Sequence, residues 1–129
     1  MTKFIFEKGG LYADTVTSSK QLGLVDRGKI YSGRVATSSK QLGFVQNGKI
    51  YRDRVATSSA QLGFVKGEKV YKGRVETTSA QVASIRDGAV YEGRDIRSST
   101  HLVSISGVEY VEPEIIAALV HFFVRPIFN

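Results

Sequence analysis

Four arginines, Arg34, Arg54, Arg74 and Arg94, recur every 20 residues, each three positions after a tyrosine (Tyr31, Tyr51, Tyr71 and Tyr91). A guanidinium keeps its charge and offers a planar fork of donors, so four of them around one axis would form a ring able to bind an anionic group. The competing arrangement stacks each Arg on a Tyr ring and bonds it to carbonyls of the next repeat, where it cements the array. That second arrangement is the expected one, because converging like charges need compensation. Other chemistry finds little support. Ser58 and Ser59 belong to hydroxyl pairs repeated along the chain, which suits turn formation better than a unique nucleophile. The two histidines are His101, which replaces the Gln of Gln41, Gln61 and Gln81, and His121, which sits among apolar residues. Two histidines fall short of the three or four ligands of a zinc site, and there is no cysteine to add to them. Neither a GxGxxG nor a GxxxxGK[ST] loop is present. The expectation is therefore a protein that is not an enzyme and has neither metal nor cofactor.

The tyrosines set the period of whatever elements hold these arginines. Tyr12, Tyr31, Tyr51, Tyr71, Tyr91 and Tyr110 are 19 or 20 residues apart, and the first five follow an apolar residue: Leu11, Ile30, Ile50, Val70 or Val90. Hydroxyl clusters follow at 37–39, 57–59 and 77–79, then Gln41, Gln61 and Gln81 open Leu-Gly-Phe-Val-like segments. A unit of 20 residues accommodates two short strands and two turns, and no such unit buries an apolar face alone. Asn47-Gly48 and Asp87-Gly88 between apolar runs are strong hairpin-turn signals. A two-residue turn at Asn47-Gly48 sets Val45 opposite Ile50 and Phe44 opposite Tyr51. Gly33, Asp53, Gly73 and Gly93 tolerate positive φ, which predicts a β-bulge after each Tyr. Such a bulge would bring Arg to the face of its Tyr and return Val35, Val55 and Val75 to the apolar face. Irregular copies at the ends, Phe4–Phe6 with Leu11-Tyr12 and Val103–Ile105 with Val108–Tyr110, raise the hairpin count to as many as six.

After Tyr110 the period stops. Residues about 113–125 read as a helix, with Pro113 in the first turn, Glu114 at the positive dipole end and Pro126 as the stop. Its run from Ile115 to Val124 is apolar all round apart from His121, which calls for burial. It is shorter than the roughly 20 residues of a membrane span. A plug against the hairpin array is the expected role, with insertion into a membrane or partner as the alternative. The whole is read as a single all-β repeat domain over 1–129, with hairpin repeats over about 1–111.

The iterated Gly-x-Ile/Val-Tyr-x-Gly-Arg, Ser-Ser and Gln-Leu-Gly-Phe-Val units, followed by the apolar C-terminal segment, resemble the bacterial four-fold β-flower proteins. The resemblance covers nearly the whole chain. It implies a pseudo-symmetric flower or propeller-like ring and no particular activity, and the extra half-matching units leave four, five or six hairpins around the axis.

Composition narrows the classes of function. Hydrophobic content of 42% with 23% charged residues excludes a disordered chain, and 129 residues suit one domain. The net charge of +6 lies entirely in residues 1–55, which hold ten Lys and Arg against four acids, while 56–129 hold eight of each. The N-terminal MTKFIFEKGG lacks the apolar core of a secretory signal, so a cytoplasmic location is expected. The reading is a non-catalytic binding or scaffolding module, with a protein partner or self-association through the C-terminal helix. The alternative is binding of nucleic acid or another anion by the basic N-terminal half, where Lys20, Lys29, Lys40, Lys49 and Arg52 recur beside aromatics. A hydrolase-type enzyme comes third.

Overall fold

The computed structural model describes residues 3–128. Among these, eleven strands close into a barrel. They are β1 (Phe4–Glu7), β2 (Gly10–Ala13), β3 (Gln21–Asp26), β4 (Lys29–Ser32), β5 (Gln41–Gln46), β6 (Lys49–Arg52), β7 (Gln61–Lys66), β8 (Lys69–Lys72), β9 (Gln81–Arg86), β10 (Ala89–Glu92) and β11 (His101–Ser106). Each strand from β2 to β10 pairs antiparallel with its sequence neighbours, and β1 meets β11 in parallel at Phe4–Ile105 and Ile5–Ser106 to complete the ring. Helix α1 (Pro113–Leu119) follows and continues into a wider π turn, Val120–Val124.

The local chemistry explains the hairpins. Asn47 (φ 51°) and Gly48 (φ 78°) both adopt the left-handed conformation of a type I′ turn, whose twist matches that of the flanking strands. The predicted register holds, with Val45 opposite Ile50 and Phe44 opposite Tyr51. Ile50 points into the barrel and is fully buried, as are Leu11, Ile30, Val70 and Val90 at the same place in the other hairpins. Tyr51 lies on the outer face and stacks on Phe44 with ring centroids 4.9 Å apart; Tyr71 and Phe64 repeat this at 5.0 Å. Neighbouring hairpins are stitched at the turn end: the N–H groups of Val45, Val65 and Ile105 donate to the carbonyls of Gly28, Gly48 and Gly88.

Two expectations are corrected. The bulge does not follow the Tyr. It lies in the partner strand, where Ile30 pairs with Gly43 and Tyr31 with Gln41, so Leu42 is the extra residue, and the same shift recurs at Leu22, Leu62, Val82 and Leu102. Positive φ at Gly33, Asp53, Gly73 and Gly93 instead ends the strand and turns the chain away from the sheet. Val35, Val55 and Val75 consequently leave the apolar face and become exposed. The second correction is at the C-terminal end. Val108–Tyr110 forms no strand, and Tyr110 is fully exposed, because Gly107 (φ 84°) approaches the backbone of Phe6 and β1 takes the place a sixth hairpin would need. The ring consists of five hairpins and one single strand.

The plug is as expected. Ile116–Val120 are buried among the inward side chains of the strands. Gly23, Gly43 and Gly63 supply the clearance: a Cβ at these positions would collide with the rings of Phe123, Phe122 and Phe128 respectively. Consecutive Phe122 and Phe123 thus reach two different hairpins. Ile115 and Phe122–Val124 at the two ends of the segment are half-buried.

Candidate functional site

Alternation of strand direction sends every connection from an even-numbered strand to the next odd one to the same end of the barrel. These five loops form a crown of nearly equal segments: 14–20, 33–40, 53–60, 73–80 and 93–100. Each opens on a positive-φ residue: Asp14, Gly33, Asp53, Gly73 or Gly93. Each then closes on a single 3-10 turn: Ser18–Lys20, Ser38–Lys40, Ser58–Ala60, Thr78–Ala80 or Ser98–Thr100. The repeated hydroxyls pair at these turns, with Thr57 Oγ1 and Ser59 Oγ 3.2 Å apart and the equivalent pairs at Thr37–Ser39 and Thr77–Ser79 at 3.4 and 3.3 Å. These bonds run between hydroxyls, and no side chain caps the backbone of the turns at 38–40, 58–60 or 78–80.

Arg34, Arg54, Arg74 and Arg94 all stand on this crown, directly after the positive-φ residue. They do not line a central channel, which the helix occupies, and they are not mortar either. Their side chains are exposed and, among the described residues, make no hydrogen bond or ion pair. The side-chain bonds to backbone that recur here come from Gln and stay within one repeat. Gln41 Nε2 donates to the carbonyl of Asp53 at 3.1 Å and Gln61 Nε2 to that of Gly73 at 2.9 Å, tying each hairpin to the start of its own crown loop.

Next to three of these arginines stand exposed valines: Val35 at 59%, Val55 at 55% and Val75 at 61% of full accessibility, with Val16 in the first loop at 41%. Among the described residues, every exposed large apolar side chain except Tyr110 therefore occupies this one repeat position. Burial logic on the sequence missed them because Val reads as a strand residue. The available signal was the loss of alternation in Val-Ala-Thr-Ser-Ser.

The crown acids are largely answered by partners. Glu76 pairs with Lys66 at 2.9 Å, Asp95 with Arg97 at 3.2 Å and Glu92 with Arg125 at 3.7 Å, and Asp14 Oδ1 accepts the backbone N–H of Lys3 at 3.0 Å. Exposed pairs of this kind add little stability, but they set the local charge balance. Among the described residues, the unanswered charge at this end is the arginine set together with Lys20, Lys40 and Lys72, against the carboxylates of Asp14 and Asp53. The basic residues of the N-terminal half are divided: Lys20, Lys40 and Arg52 lie at the crown end, whereas Lys29 and Lys49 follow the hairpin turns at the opposite end.

A cleft of about 1120 Å³ lies along the β1–β11 seam. It is lined by apolar Val103, Ile105 and Ile116 and by charged residues of both signs, Lys3, Arg86, Glu68 and Glu109. His101 Nε2 is 2.8 Å from Ser104 Oγ here. The previous repeat has the same contact between Gln81 Nε2 and Ser84 Oγ at 3.0 Å, so the pair continues a bond of the repeat. Among the described residues, no group of three or more potential metal ligands occurs, and no helix is long and apolar enough to cross a membrane. Against known proteins, no family model, no curated protein and no solved structure matches the chain.

Proposed function

We propose that the chain is a non-catalytic binding module and that the crown is its binding face. The observation carrying this reading is the coincidence of exposed Val with unpaired Arg at one position of successive repeats. Packing does not require these side chains, and a soluble surface gains nothing from a ring of apolar groups. The barrel supplies rigidity, since its interior is filled by the helix, while the loops supply repeated contacts whose affinities combine if a target engages several at once.

The test is a nitrogen-15 correlation spectrum of the labelled protein in extract from its native host. Signal loss confined to 33–36, 53–56 and 73–76 is expected. Loss centred on the hairpin turns at 27–28, 47–48 and 67–68, or no change anywhere, would remove the crown as the binding face. Binding of nucleic acid is the second reading, supported by the same unpaired arginines. The division of the other basic residues between the two ends weighs against a continuous basic track.

A further inference from the structure

We propose that the partner of the crown is an anionic lipid bilayer, with Val35, Val55 and Val75 entering the headgroup region and the arginine before each pairing with lipid phosphate and carboxylate groups. This rests on the crown being the binding face. Three observations favour a bilayer over other polyanions. The arginine and the valine after it recur at one position of three successive loops of equal length, which suits a target that offers the same apolar and anionic groups side by side over its whole surface. The exposed apolar groups of the crown are aliphatic. Tyr31, Tyr51 and Tyr71, which could have stacked on bases, are buried on the sheet below. The charge is also of the required sign: the crown acids Glu76, Glu92 and Asp95 are paired, and the four arginines with Lys20, Lys40 and Lys72, none of them in an ion pair among the described residues, outnumber the remaining carboxylates of Asp14 and Asp53.

Interfacial attachment combines buried apolar area with attraction to anionic lipid, and neither part suffices alone. The structure offers both in the same residues. A nucleic-acid surface would use the arginines and leave the valines without a role. A protein partner would use both but would not require anionic lipid.

The experiment is flotation of the full chain with phosphatidylcholine vesicles, with and without phosphatidylserine, alongside titration of single- and double-stranded oligonucleotides. Binding to the phosphatidylserine vesicles alone is expected. Each of Arg34→Gln, Arg54→Gln and Arg74→Gln should lower partition by about fivefold. Val35→Ser, Val55→Ser and Val75→Ser together should lower it by about tenfold. The combination Lys29→Ser, Lys49→Ser and Lys69→Ser at the opposite end should change it by less than the loss of one crown arginine. All these positions are exposed, and unchanged thermal melts confirm that the variants fold. No flotation while host extract still perturbs the crown overturns the lipid assignment and leaves the crown reading intact. Flotation that depends on the lysine set overturns both. Tight binding of oligonucleotides, insensitive to the valine changes and without flotation, assigns the crown to nucleic acid instead.

Discussion

At the scale of single residues, the repeat assigns each position a separate physical task. Gly43 is required for space: a Cβ there would meet both the backbone carbonyl of Tyr51 and the ring of Phe122, so Gly43→Ala should cost about 1–3 kcal/mol by overpacking, read as a lower urea midpoint. Gly33 has nothing within reach of a Cβ and is required for its positive φ, which Asp53 adopts at the same place in the next repeat. Gly33→Asp should therefore be much milder, within about 1 kcal/mol, and a larger loss would contradict the equivalence of the repeats. Arg54→Ala should change stability by no more than about 0.5 kcal/mol, since no bond is lost. His121 behaves differently. Its Nδ1 accepts the backbone N–H groups of Ile127 at 3.1 Å and Phe128 at 3.4 Å, which requires an unprotonated nitrogen, and burial pushes its pKa below the ordinary 6.5. Above that value both folded and unfolded forms are neutral and the contribution is complete. As pH falls below it the unfolded chain binds the proton first, so stability declines until the folded form also protonates. Urea melts between about pH 7.5 and about pH 5 should show this decline in the wild type and a shallower one in His121→Gln.

Among the elements, the plug and the seam set the limits of stability. The hairpins present Gly23, Gly43 and Gly63 to the lumen, and the helix with its reversing tail fills the space they leave. Phe128→Ala should lower stability by about 3 kcal/mol through loss of a buried ring, measured by denaturant unfolding. A value near zero would mean that the tail does not seat against Gly63. The seam is the thin part of the ring. β1 and β11 are paired at two positions, whereas Gln46–Lys49 through Gly43–Arg52 give β5 and β6 four. Amide exchange should therefore be faster in β1 and β11 than in β5 and β6, as expected for a region with fewer mutual contacts.

For the whole molecule, the architecture separates support from presentation. One end carries tight two-residue turns stitched to each other, while the other carries the longer loops with arginine and valine. Closing the ring joins Phe4 to Ile105 across most of the chain, a contact whose entropy cost must be met before it is rewarded. Removal of residues 112–129 should leave hairpins without a filled core, with dye-binding apolar surface and loss of cooperative unfolding, rather than an intact hollow barrel.

Local rules determined much of this in advance. Asn47-Gly48 dictated its turn and the facing of Phe44 and Tyr51, because turn geometry and side-chain alternation act within a few residues. The apolar, proline-bounded segment dictated a buried helix for the same reason. The position of the bulge, the single strand at β11 and the exposure of Val35, Val55 and Val75 were decided by the tertiary structure. Each depends on which groups meet across the ring: Leu42 becomes the extra residue only against Ile30 and Tyr31, and the edge of β11 that a hairpin partner would take is paired with β1. The arginines could be found by their spacing, but their freedom from partners could not, since a side chain's bonding depends on neighbours that the repeat alone does not name.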